Sequence, residues 1–134
     1  MTNLKKIIIL LLMTLGLNAS EITWLESYTK ASEVAKAENK PMLIFINRSD
    51  CGACEMMKEV VFKDKIIYPY INEHFVAVSL NINKNDAPKD LQSEMTPTFH
   101  FVKYDGTKIR ETLVGGKTGK FYLNILKEAV AAYK

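Results

Sequence analysis

Cys51 and Cys54 are the only cysteines in the chain, and Gly52 and Ala53 separate them. This is the smallest group that can carry dithiol chemistry. One thiolate attacks a disulfide, and the second sulfur then displaces the first from the mixed disulfide that forms. The thiolate is the reactive form, so surroundings that stabilise negative charge decide how reactive the pair is. An apolar run, Met42 to Ile46, and a polar stretch, Asn47 to Asp50, precede Cys51. Behind Cys54, Met57, Val60 and Val61 recur at helical spacing. Strand, loop, Cys-x-x-Cys and helix in that order put Cys51 at a helix N-terminus, where unpaired N–H groups and the helix dipole favour a thiolate. Two other uses of the pair stay open. A static disulfide would close so small a ring that it adds little chain-entropy stabilisation. Half a zinc site would need further ligands, and His74 and His100 have no ligand spacing to each other.

The elements that must hold the pair follow from periodicity. Glu21 to Lys40 reads as an amphipathic helix, stopped by Asn39-Lys40-Pro41. The unbroken run Met42–Ile46 suits a strand buried on both faces. A helix is expected from Cys54 to Lys63, and a second piece over Asp64 to Asn72 with Pro69 bending or bounding it. Phe75–Ile82 alternates as a strand, and a short helix is expected around Pro88–Glu94. Phe99–Tyr104 and Lys108–Val114 flank Asp105-Gly106, a hairpin signal. Thr118 stands where it can cap a last helix with stripes Phe121/Ile125/Ala129 and Tyr122/Leu126/Val130. The order αβαβαββα predicts an α/β fold, a mixed sheet with helices on both faces.

Residues 1–19 read as an address. Lys5 and Lys6 precede the apolar run Ile7–Met13, extended by Leu15 and Leu17, and small residues Ala19 and Ser20 follow. That is the three-part pattern of a secretory signal peptide, too short for the roughly 20 residues a bilayer-spanning helix needs. Cleavage is expected after Ala19 or Ser20, leaving one domain over residues 20–134 and an oxidising compartment for the cysteines. The 134 residues carry a net charge of only +3 with no basic block, which argues against nucleic-acid binding. Loss of Lys5 and Lys6 with the signal brings that to +1. No phosphate loop, dinucleotide fingerprint or metal cluster stands in the sequence, so no cofactor and no metal are implied.

Lys40-Pro41-Met42-Leu43-Ile44-Phe45, Cys51-Gly52-Ala53-Cys54 and Met95-Thr96-Pro97-Thr98-Phe99 together resemble the thioredoxin superfamily, over nearly the whole chain beyond residue 19. Val61-Phe62-Lys63-Asp64 and a first helix ending in Glu-Asn-Lys-Pro are similar to its periplasmic group, which includes the C-terminal domain of the bacterial membrane thiol–disulfide interchange protein. The resemblance implies a thioredoxin-like fold, a redox-active Cys51–Cys54 disulfide, Cys51 as nucleophile and Cys54 as resolving cysteine. It also implies that Thr96–Pro97 is a cis bond facing the cysteines. Such a loop would hold the preceding backbone extended, so that Thr96 pairs with a substrate peptide as an added strand, with Met95 beside it.

Three positions depart from the family pattern. The buried acid usual six residues before the nucleophile is replaced by Phe45, so the base that takes the proton of Cys54 is unassigned; Glu55 is a candidate, though its place on the helix suits a solvated residue. The tryptophan usual before the first cysteine is replaced by Asp50, whose carboxylate disfavours a second negative charge on Cys51. Ala53 stands where proline is usual. Asp50 and Glu55 are thus the tuning candidates. A less stabilised thiolate argues against a strong oxidant. The expectation is a monomeric periplasmic reductase. It would receive electrons from a membrane thiol–disulfide donor and pass them to oxidised periplasmic proteins. Protein disulfide oxidase or isomerase, apocytochrome thiol reduction, and a binding module with a structural disulfide are the alternatives.

Overall fold

The computed structural model describes residues 20–133. The expected signal peptide, residues 1–19, lies outside them. The elements run β1 (Trp24–Leu25), α1 (Tyr28–Glu38), β2 (Met42–Asn47), α2 (Gly52–Met56), α3 (Ile67–His74), β3 (Val76–Asn81), β4 (Thr98–Val102), β5 (Leu113–Val114) and α4 (Gly119–Ala132). The five strands form one sheet in the order β1-β3-β2-β4-β5. β1 and β2 both run parallel to β3, while β4 is antiparallel to β2 and to β5. This is the expected mixed sheet with helices on both faces.

β2 is the central strand, and Met42 to Ile46 are all buried. Leu43 and Phe45 join Phe99, Phe101 and the inner faces of α2, α3 and α4 in one core cluster. Met42, Ile44 and Ile46 point the other way, into a second cluster with Tyr28, Ala31 and Ala35 of α1. A strand covered on both sides has no polar face, which is why its sequence shows no alternation.

Several local expectations are corrected. Trp24–Leu25, expected inside the first helix, is a strand. Trp24 packs on the α2 side of the sheet and Leu25 on the α1 side, the two-residue alternation of a strand. α1 begins only at Tyr28 and ends at Asn39, in the left-handed region at φ 53°. The helix after the cysteines is not uniform: α2 passes into a π-helical turn over Met57–Val61, with Phe62 N–H donating to the Met57 carbonyl at 2.8 Å. The wider turn keeps Met57 and Val61 buried and leaves Val60 64% exposed, so Val60 is not a core residue. Pro69 sits in the first turn of α3, where its missing N–H costs nothing. The piece expected at Pro88–Glu94 is a single 3-10 turn, Lys89–Leu91. Asp105-Gly106 makes the hairpin turn, with Gly106 at φ 87°, but the return arm pairs only through Lys108 and the short β5. Thr118 occupies the N-cap position of α4 without a side-chain cap bond, and Phe121 is exposed while Tyr122, Ile125, Leu126 and Ala129 face the core.

Candidate active site

β2 ends at Asn47, and the loop Arg48–Asp50 turns the chain into α2 with Asp50 at φ 59°. Cys51 is the N-cap of α2: its backbone is extended, and its Sγ accepts from the Cys54 N–H at 3.2 Å. The two cysteines are disulfide-bonded, with Cα atoms 5.2 Å apart. Cys54 is completely buried and Cys51 is 7% exposed, so solvent reaches the pair only from the Cys51 side. This places a thiolate of Cys51, once formed, where the first-turn N–H groups point.

On the loop that leads into β4, Thr96–Pro97 is a cis peptide, as the resemblance implies. Pro97 is buried and its carbonyl accepts from the Gly115 N–H at 2.8 Å. The Gly115-Gly116 segment also closes on α2. A Cβ built on Gly116 would stand in ordinary contact with Ala53 Cβ at 3.5 Å and 2.7 Å from Met56 Cε, so a side chain there would have to displace the flexible tip of Met56. Lys117 N–H lies 3.5 Å from Met57 Sδ. By sequence the two glycines mark only a strand end. Their proximity to Ala53 had no local signal, because it depends on how β5 returns beside β4. Met95 is 60% exposed on the loop before Pro97, and Met56 is half-buried. Met56 thus gives the core cluster that holds both cysteines an apolar, adaptable contact.

The tuning candidates separate in space. Asp50 is exposed and immediately precedes Cys51. Glu55 is exposed on α2 and pairs with Lys58 at 3.7 Å. Phe45, 1% exposed, fills the position of the missing acid. Its ring lies 5.6 Å from Trp24, 5.2 Å from Phe62 and 5.2 Å from Phe99, stacked on the last. The core cluster that encloses Cys54 therefore contains aromatic rings where a proton acceptor would be. The one hydroxyl among its buried members is that of Tyr122, which has no partner, and burial pushes its pKa well above the usual value. Thr96 Oγ1 is likewise buried without a partner.

Residues 28–129 match the family described as a thioredoxin-like domain. The chain belongs to that family. Solved thioredoxin-like structures agree in fold. A putative disulphide-isomerase from Bacteroides thetaiotaomicron is 28% identical, with a TM-score of 0.71 over 84% of this chain and 96% of that one. The oxidised C-terminal domain of DsbD from Neisseria meningitidis is 14% identical, with a TM-score of 0.64 over 80% of this chain and 99% of that one. Among curated relatives, mouse Anterior gradient protein 3 is 24% identical over 102 residues, 76% of this chain. The chain spans 61% of that relative's length. A vicinal cysteine pair at a helix N-terminus of a thioredoxin-like fold is an arrangement that supports thiol–disulfide oxidoreductase chemistry.

Proposed function

We propose that this protein is an exported thiol–disulfide oxidoreductase working mainly as a disulfide reductase. The observation that carries the reading is the asymmetry of the disulfide. Cys51 caps α2 and is slightly exposed while Cys54 is completely buried, and Gly115, bonded to the Pro97 carbonyl, is followed by Gly116, which lies against Ala53 and Met56 of α2. In the reduced enzyme the Cys51 thiolate attacks one sulfur of a substrate disulfide and the other substrate sulfur leaves as a thiolate. Cys54, deprotonated, then attacks Cys51 Sγ, releases the second substrate thiol and restores the Cys51–Cys54 bond. Two electrons pass from the dithiol to the substrate, and a membrane thiol–disulfide donor returns them. Thr96, Pro97 and Met95 form the surface against which the substrate chain lies.

Asp50 supports the reducing direction. A carboxylate next to Cys51 works against the helix dipole and makes the dithiol less stable relative to its disulfide. The expected reduction potential is on the order of −200 to −270 mV, between glutaredoxins and thioredoxin. A value about −120 mV, that of a strong dithiol oxidant, would overturn the reductase reading. Cys54→Ser is expected to accumulate mixed disulfides through Cys51 with exported proteins. No captured partner, together with no reduction of insulin, would overturn exchange activity altogether.

The likeness to a putative disulphide-isomerase favours a second reading, isomerisation. An isomerase would reactivate scrambled ribonuclease without net consumption of reductant, whereas a reductase leaves it reduced. Capture of apocytochrome in the trap would narrow the reductase to haem attachment. Export itself is tested by the intact mass of the secreted protein, expected to begin at Ser20 or Glu21; a chain still beginning at Met1 would overturn cleavage.

A further inference from the structure

The loop bearing Met95, Thr96 and Pro97 has no regular structure of its own, yet its main chain is pinned by two hydroxyls. Thr98, the first residue of β4, is 1% exposed, and its Oγ1 donates to the Met95 carbonyl at 2.6 Å. Ser93 Oγ accepts from the Met95 N–H at 3.1 Å and lies 2.8 Å from Thr98 Oγ1. Ser93 Oγ is also 3.1 Å from the Met95 carbonyl. The proton count closes as a ring. Met95 N–H donates to Ser93 Oγ, the Ser93 hydroxyl to Thr98 Oγ1, and the Thr98 hydroxyl to the Met95 carbonyl. Both main-chain groups of Met95 are thereby consumed, and Gly115 takes the Pro97 carbonyl. Between these two fixed points, among the described residues, neither the N–H nor the carbonyl of Thr96 has a partner.

We propose that Ser93 and Thr98 are positioning residues for substrate: the hydroxyl ring holds Met95 so that the free main chain of Thr96 is presented, already ordered, to an extended peptide whose disulfide lies over Cys51. The inference rests on the proposed exchange reaction and adds what aligns its peptide substrates. Holding the loop in advance removes an ordering cost from binding. It leaves the sulfur chemistry alone, because neither hydroxyl bonds to a cysteine.

The test compares a peptide disulfide, which can pair with Thr96, with hydroxyethyl disulfide, which has no main chain. Thr98→Val keeps the side-chain shape and removes the hydroxyl. It is expected to raise KM for the peptide disulfide about fivefold to tenfold, the scale of one lost hydrogen bond. The rate with hydroxyethyl disulfide and the Cys51–Cys54 reduction potential should stay at the wild-type values, and Thr98→Ser should restore KM. Ser93→Ala, at a half-buried loop position, carries the same expectation should Thr98→Val fail to fold. An unchanged peptide KM in a folded variant, or equal losses on both disulfides, overturns the positioning role while leaving exchange intact. A wild-type protein that reacts with neither disulfide overturns the exchange reading and this role together.

Discussion

Phe45 shows how one side chain changes what its surroundings can do. Its ring is enclosed by Trp24, Phe62 and Phe99, with Tyr122 packed on the last two. Truncation to alanine in such a cage is expected to cost about 3–5 kcal/mol, read from urea unfolding of the oxidised protein. Phe45→Asp gives a sharper result. A carboxyl there would be buried without a cation, so the folded state would favour its neutral form. Its folded-state pKa would lie above the unfolded value, so the stability lost relative to wild type should be smaller at pH 4.5 than at pH 7 and grow as pH rises. An equal loss relative to wild type at both pH values would mean that the cage admits water or a partner for the charge. The replacement of the acid by Phe45 was legible only against the family pattern that the chain resembles, and the Cys51–Cys54 spacing left a zinc half-site and a static disulfide open until that resemblance was added. The Ser93–Thr98 ring was not legible. Serine and threonine in a polar stretch give no sign of whether they bond water or each other.

α1 depends on an interaction that no local pattern contains. Ser27 caps its N-terminus in the ordinary way, accepting from the Lys30 N–H at 3.3 Å. Asp86, far along the chain, adds a second cap. Its carboxylate accepts from the Tyr28 N–H at 2.7 Å, the Thr29 N–H at 3.0 Å and the Ser27 hydroxyl at 2.8 Å. Partial desolvation pushes the Asp86 carboxyl up, but these hydrogen bonds outweigh it and hold it well below the usual carboxylate range. Asp86→Ala is expected to lower stability by about 0.5–2 kcal/mol, the range for loss of a helix cap, with exchange activity unchanged. No change in the urea midpoint would show that Ser27 alone suffices. α1, β3 and α4 were readable because the more buried face imposes the period directly, and β2 because burial on both faces makes an unbroken apolar run. The two-residue β1 and β5 and the π turn were not, because a ladder this short is set by its neighbour in the sheet, and one extra residue in a helical turn leaves composition untouched.

The whole molecule folds around groups that are buried in their neutral forms and one that is held ionised, and this fixes the shape of its pH–stability curve. His100 is buried on β4 with Nδ1 2.9 Å from Thr112 Oγ1 and Nε2 without a partner. Burial first, and then the charge of Lys108, push its pKa below the usual 6.5, against smaller opposing effects of the Leu91 main chain and Asp90. Below 6.5 the unfolded chain therefore binds more protons than the folded one, and stability falls as pH falls. Asp86 acts in the same sense at lower pH, starting below the ordinary carboxylate value of 3.8. On the alkaline side, burial raises the pKa of Tyr122, so its contribution is lost as pH rises above the unfolded value of 10.0. The oxidised protein is expected to show a plateau from about pH 7 to 9, a first acid limb beginning below about 6.5, and a steeper one below about 4. His100→Gln should remove the first limb and leave the second, and Asp86→Ala should weaken only the second. A wild-type urea midpoint that stays flat from pH 7 to 5 would mean that His100 protonates without cost. Its ring would then be open to water in solution, and the β4 face beside Thr98 would be less tightly closed than the packing of Ile44, Leu91 and Val102 implies.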